Sequence, residues 1–225
     1  EYAYLDAAGR MRPDPANSQR AENPWYPNAS AVCGPAYRAD PHAAPAAEAS
    51  GRFLRERLES AALGQSWRLV TYTPAGQGEG ALPVVYLQDG VAYLRVARLA
   101  AVLEALLTAG EVRPAHLVFV EPNDRSSEYR FNDAYREFFV HDLLPFAEAR
   151  LRASGVRAAM GASLGGLMSA SLGLHHPELF GAVVAQSGAF LGRPDAPDPY
   201  RNERSWLLEQ LEAGAGAGLR WFLET

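Results

Sequence analysis

The sequence predicts an α/β protein whose mostly parallel β-sheet is covered by helices on both faces. Three observations carry that prediction. The chain has 225 residues, 48% of them hydrophobic, enough for one large buried core. From about Trp67 onward, short apolar runs of strand length alternate with longer amphipathic stretches of helix length, the pattern of a buried parallel sheet. Finally, Gly161-Ala162-Ser163-Leu164-Gly165 stands where an apolar strand passes directly into a helix of small residues, and the sites of such sheets lie at the carboxyl ends of their strands.

In chain order, residues 1 to about 40 lack helical periodicity and are rich in Pro, Asn and Tyr. Within them Tyr2 to Met11 reads as strand, turn, strand, with Gly9 at the turn. From Gly34 to about Ser50 the composition shifts to Pro, Ala and Asp, so residues 41–66 are expected to be a linker or surface crossing. Residues 67–225 form the main domain. Its strands are expected at Trp67 to Thr73, Val84 to Gln88, Leu117 to Glu121, Ala158 to Met160, Ala182 to Gln186 and Leu219 to Leu223. Its helices are expected at Leu94 to Thr108, Asn132 to Arg152, Gly166 to His175 and Ser205 to Ala213. Gly214 to Gly218 reads as a flexible loop, and no internal repeat is present.

Composition narrows the function classes. A formal net charge of −5 argues against nucleic acid or an anionic membrane as the main partner, since both attract cationic surfaces. The single cysteine, Cys33, permits no internal disulfide, in keeping with a reducing, cytoplasmic compartment; a small loop residue is its simplest reading. No apolar run reaches membrane-spanning length and no signal segment opens the chain. The first residue is Glu1 rather than methionine, a start compatible with a leader that was removed or never included. The histidines are scattered rather than at ligand spacing, so no metal or other cofactor is implied.

The Gly-x-Ser-x-Gly run carries the chemistry. A serine at the apex of a tight strand-to-helix turn needs a strained backbone, and flanking glycines remove the Cβ atoms that would collide there. The helix beginning at Leu164 directs unpaired N–H groups and its positive dipole end at the same point, where an oxyanion would form. The loops after the neighbouring strands, Asp89-Gly90-Val91 and PNDRSSEYR (122–130), are expected on the same edge.

These residues resemble the Putative esterase family of α/β-hydrolases, most closely its enterochelin esterase branch. The matching stretches are VVYLQDG (84–90), Arg125, Glu128 and Asn132 within RSSEYRFN, DLLPF (142–146), GASLGGL (161–167), HHPELFG (175–181) and AQSGAF (185–190). DPANS (14–18) and Ser30 resemble the end of the early-set β-sandwich domain that precedes the hydrolase domain in such enzymes, which makes residues 1–40 a remnant of it. The resemblance implies an α/β-hydrolase fold and a serine carboxylic-ester hydrolase that forms an acyl-enzyme on Ser163. It gives the oxyanion donors to the N–H groups of Leu164 and Val91. It implies a small-molecule ester substrate of the siderophore type, possessing anionic groups that would favour Arg125, with Arg130 as a second contact. The resemblance places Arg125 and Glu128 as the substrate-binding residues of this edge, and an Arg125–Glu128 pair that merely fixes the loop is the alternative at these positions.

The catalytic partners of the serine are not visible. The order in α/β-hydrolases is serine, acid, histidine, and the chain ends at Thr225, just past the strand that should precede the acid. Both partners are therefore expected beyond Thr225, in a longer polypeptide. His175 and His176 end the helix behind the elbow, before Pro177; His141 lies within an amphipathic helix, His116 opens a strand and His42 sits in the linker. Asp195 and Asp198, in the Pro-rich loop after AQSGAF, are weaker candidates for the acid. Two other functions stay open: a carbohydrate-linked or feruloyl esterase or acyltransferase, and an esterase-like binding module without a working triad.

Overall fold

The computed structural model describes residues 1–225 apart from 22, 24, 25, 27, 39–41, 43, 44, 46, 78, 79, 196–204 and 225. Near the amino terminus, β1 (Tyr4–Leu5) and β2 (Met11–Arg12) form the expected antiparallel hairpin. Gly9 supplies the left-handed turn at φ 73°, a conformation that glycine adopts without a Cβ penalty. Polar contacts hold this segment together. Tyr2 Oη donates to Asp14 at 2.6 Å, the Asp14 N–H donates to the buried Ser30 hydroxyl at 2.9 Å, and Asn17 Nδ2 donates to the Ala31 carbonyl at 2.8 Å.

The main sheet has seven strands among the described residues: β3 (Arg52–Ser60), β4 (Gln65–Thr73), β5 (Leu82–Gln88), β6 (His116–Glu121), β7 (Ala153–Ala162), β8 (Ala182–Gln186) and β9 (Arg220–Glu224). Their spatial order is β3-β4-β6-β5-β7-β8-β9. β3, β4 and β6 pair antiparallel, and the run from β6 through β5, β7 and β8 to β9 is parallel. β3 corrects the sequence reading, which placed residues 52–60 in a linker. Five of its nine residues are charged, which masks the alternation. It is an edge strand, where charge is tolerated because one side of the ladder faces no partner.

Helices cover both faces. On one, α2 (Arg125–Tyr129), α3 (Asp133–Phe138), α4 (Leu144–Glu148) and α5 (Leu164–His175) pack with Tyr86, Val118, Phe139 and Met168 in the larger core. On the other, α1 (Leu99–Thr108) packs with Tyr72, Leu87, Leu117 and Phe119. α6 (Trp206–Glu212) places Leu207 against Val183 and Leu219 near β9. No helix among the described residues is long and apolar enough to cross a membrane.

Two expected helices are broken. The one expected from Leu94 becomes a π-helical turn at Ala92–Val96, then α1, because Arg98 adopts φ 48° between them. Its guanidinium reaches out to the Pro45 and Ala47 carbonyls and to Glu48, tying the crossing segment to this junction. The helix expected over 132–152 is interrupted by a π-helical turn at Phe139–Leu143 and restarts with Pro145 in its first turn, a position where a missing N–H costs nothing.

Candidate active site

The parallel strands deliver their carboxyl ends to one edge, and Ser163 occupies the crease between β7 and α5. Its backbone sits at φ 55°, ψ −120°, a conformation that costs a non-glycine residue about 1–3 kcal/mol. The crease is pinned from three directions. The Ser163 N–H donates to the Gln186 carbonyl at 2.9 Å, while its carbonyl accepts from Leu167 at 3.1 Å and from Ala189 at 2.9 Å. A Cβ on Gly161 would collide with the Gly165 carbonyl, and one on Gly165 would lie 3.0 Å from Asp89 Oδ2 and 3.1 Å from Gln88 Cβ. Gly161 is therefore required by close approach, and a Cβ at Gly165 would need Asp89 or Gln88 to give way by a few tenths of an ångström. Leu164, buried, is the first residue of α5, so its N–H has no acceptor within the helix and lies at the helix's positive end.

Arg125 lies at the start of α2, a short helix inside the expected loop, capped by Asp124 through the Ser127 N–H at 3.1 Å. Its side chain grips Asp89 in a fork, Nε to Oδ1 at 2.7 Å and Nη2 to Oδ2 at 2.9 Å, and Nη2 also reaches the Ala162 carbonyl at 3.2 Å. Asp89 is 4% exposed at φ 57°, and its N–H donates to Tyr129 Oη at 2.9 Å. Burial raises the Asp89 pKa and the guanidinium opposes that rise. One arginine thus ties together the ends of β5 and β7 from the loop after β6. Arg130 follows as the carboxyl cap of α2.

Neither residue follows the alternative of an Arg125–Glu128 pair: Arg125 is engaged with Asp89, and Glu128 has other partners. Glu128, 7% exposed, accepts the N–H groups of Asn123 and Asp124, each at 3.1 Å, and the Trp67 indole N–H at 3.2 Å. Burial raises its pKa, and these hydrogen bonds counter the rise. Glu128 folds the loop onto β4 and is engaged with its own backbone. Val91 also differs from expectation: its N–H donates to Glu121 Oε2 at 2.9 Å, so that amide already has an acceptor. A cavity of about 620 Å³ borders Gly90, Val91 and Glu121, and Ser163 is not among its lining residues.

None of the five histidines stands beside Ser163. His116 opens β6 at the far end of the sheet, bonded to Thr73 and facing the Arg152 carbonyl, and burial lowers its pKa. His175 ends α5, about 18 Å along the helix from the crease at 1.5 Å per residue, and stacks on Trp206. His176 follows it and faces Glu178, His141 is paired with Glu137, and His42 approaches Glu111. Asp195 is paired with Arg193 in an exposed loop; Asp198 lies outside the described residues. Among the described residues no group of three His, Cys, Asp or Glu side chains is placed to hold a metal ion.

The partnerships of Asp89 with Arg125 and Tyr129, and of Val91 with Glu121, were not anticipated. Each joins residues 30 to 40 positions apart, so no local spacing signals them; only the shared carboxyl edge brings them within reach.

Sheet order, flanking helices and a strained serine crease define an α/β-hydrolase. A family model described as "Putative esterase" matches residues 60–224, and the chain belongs to that esterase family. It is 31% identical over 177 residues to the iron(III) enterobactin esterase of Escherichia coli strain K12, covering 74% of this chain and 42% of that protein. The enterobactin esterase FES of Shigella flexneri, solved in the presence of enterobactin, superposes with a TM-score of 0.78 at 27% identity, over 94% of this chain and 55% of that one. The ferric enterobactin esterase of Salmonella typhimurium superposes equally well, with a TM-score of 0.78 at 25% identity over 94% of this chain and 54% of that one. The chain spans about half the length of these relatives.

Proposed function

We propose that this chain carries the nucleophile and oxyanion site of a serine carboxylic-ester hydrolase acting on a siderophore-type ester. The observation that carries the reading is the backbone of Ser163, held at φ 55°, ψ −120° by hydrogen bonds with β8, with α5 and with the loop after β8. Strain of this kind persists only where surrounding structure enforces it, and here it presents a half-buried hydroxyl at the edge where ligands of parallel sheets bind. The substrate class rests on similarity to the enterobactin esterases named above.

In the proposed reaction, Ser163 Oγ attacks the ester carbonyl carbon as its proton passes to a general base, and the negative charge moves to the carbonyl oxygen. The Leu164 N–H, at the amino end of α5, stabilises that oxygen; such a donor is worth about 3–4 kcal/mol in the transition state. The C–O bond to the alcohol then breaks, the alcohol leaves with the proton, and the acyl group remains on Ser163. Water repeats the sequence in reverse roles and frees the acid. Val91 can serve as the second donor only after its N–H exchanges Glu121 for the substrate oxygen. The base and its orienting acid are not assigned to any of the five histidines or to Asp195. Arg125 acts here as a positioning residue, fixing Asp89 and Ala162 on either side of the crease.

The test is turnover of p-nitrophenyl butyrate and labelling by a fluorophosphonate, compared between the protein and its Ser163→Ala variant. The variant should lose both. Turnover or labelling that survives the substitution would remove Ser163 from the reaction.

A further inference from the structure

Three strand ends meet at the crease, and each turns through a strained residue. Asp89 follows β5 at φ 57°, Ser163 follows β7 at φ 55° and Ser187 follows β8 at φ 45°. None of the three is a glycine, so each left-handed backbone needs outside support to persist. For Ser163 part of that support comes from the loop after β8: its N–H donates to the Gln186 carbonyl, and its carbonyl accepts from the Ala189 N–H. The placement of Ser163 therefore depends on residues 186–189, which contain a strained turn of their own. Arg125 fastens the ends of β5 and β7 from the face that carries α2.

Tyr93 supplies a second fastening, from the opposite face. It lies in the π-helical turn after β5, is 7% exposed and shares an apolar cluster with Leu87 and Met160 on the side of α1. Its hydroxyl donates to Gln186 Oε1 at 2.7 Å. β7 lies between β5 and β8 in the sheet, so this bond bridges two strand spacings, about 10 Å, across the end of the strand that carries Ser163. With Oε1 taken, Gln186 Nε2 faces Glu224 Oε2, to which it donates at 3.5 Å, and the Ser187 N–H donates to the Glu224 carbonyl at 2.7 Å. A chain of contacts thus runs from the loop after β5 through Tyr93, Gln186 and Glu224 to the strained Ser187.

We infer that Tyr93 is a positioning residue for the proposed hydrolysis: through Gln186 it holds the loop that fixes the main chain of Ser163. It acts on that loop rather than on the substrate. A phenyl ring in its place keeps the apolar packing and loses only the bond to Gln186, whose carboxamide is then free to rotate. Displacement of residues 186–189 passes to Ser163 through two main-chain hydrogen bonds, and an error of about 1 Å in the placement of a reacting group can cost about a hundredfold in rate. The inference rests on the hydrolase reading for the chemistry that Ser163 performs, and on the hydrogen bonds alone for the positioning.

The experiment compares Tyr93→Phe and Gln186→Ala with the wild type by amide hydrogen exchange and by the kinetics of fluorophosphonate labelling. In Tyr93→Phe the amides of Ser163 and Ala189 should exchange about fivefold faster, the effect of one hydrogen bond, while those of Val118 and Val120 in β6 keep their rates. The maximal labelling rate should fall about tenfold with the half-saturating probe concentration unchanged. A purely structural loss would instead shrink the reactive fraction and leave the rate of that fraction intact. Gln186→Ala should reproduce both effects, and the double variant should be no slower than either single one, because the two side chains form one tether. Wild-type exchange at Ser163 and Ala189 in Tyr93→Phe, or a wild-type labelling rate beside faster exchange, would overturn the inference. A wild type that the probe never labels would remove the hydrolase reading, and exchange at Ser163 would then decide by itself whether Tyr93 holds the crease.

Discussion

At the scale of single residues, the site depends on atoms that are absent as much as on those present. Gly165 brings α5 against Asp89 and Gln88, and a methyl group there would meet Asp89 Oδ2 at 3.0 Å. Overpacking of this kind costs about 1–3 kcal/mol. Gly165→Ala should therefore lower the unfolding midpoint and slow fluorophosphonate labelling together; an unchanged labelling rate in a folded variant would show that the crease tolerates displacement of Asp89. Arg125 gives a second residue-scale prediction. It is engaged with Asp89 and Ala162, so Arg125→Lys, which keeps the charge but loses the fork, should lower kcat about 10- to 100-fold, the equivalent of one or two charged hydrogen bonds. Acidic and neutral esters should suffer alike, with little change in KM. A loss confined to acidic esters would instead give Arg125 a direct contact with substrate.

Among the elements, the end of α4 is fastened to the sheet by an ionic knot whose pH response has a definite sign. Glu148 accepts Arg157 Nε at 2.6 Å and Nη2 at 2.8 Å, and the Tyr86 hydroxyl at 2.9 Å. Burial by itself would raise the Glu148 pKa, but Arg157 and Tyr86 outweigh it and the pKa falls below its ordinary value of 4.5. A depressed carboxylate contributes stability that is fully present above the unfolded pKa and is lost as pH falls through the folded one. Denaturant melts from pH 6 downward should show the protein losing stability below about pH 4.5 more steeply than Glu148→Gln does. Parallel curves would mean that the knot is solvated. The same scale explains the missed elements. Residues 158–160 of β7 and 182–185 of β8 form apolar runs that announce themselves, whereas β3 is hidden by its charges and α2 by its five-residue length.

For the whole molecule, the lengths of the strands and of α5 hold His116 and His175 away from the candidate nucleophile. His116 and His175 sit at the opposite end from the crease, and His42, His141 and His176 face Glu111, Glu137 and Glu178. Conversion of each of the five to Gln should leave kcat/KM for p-nitrophenyl butyrate within about threefold, where loss of a true general base costs about a thousandfold or more. A collapse of activity in any one variant would identify the base and contradict the geometry.

The sequence by itself determined the architecture and the position of the strained serine crease that carries the candidate nucleophile. Apolar alternation is a local signal, and the strand-to-helix crease at Ser163 is written in five consecutive residues whose glycines admit that backbone. The hairpin around Gly9 is local in the same sense. Only the tertiary structure decided what the surrounding polar groups do. Arg125 and Glu128 were visible as residues of interest, but their partners are set by which strand ends lie side by side, and that order, β6-β5-β7, differs from the order along the chain. Arg125 therefore finds Asp89 rather than Glu128, Val91 finds Glu121, and Tyr93 finds Gln186. Local propensity cannot encode such meetings, because each depends on loop ends brought together by the pairing of strands distant in sequence.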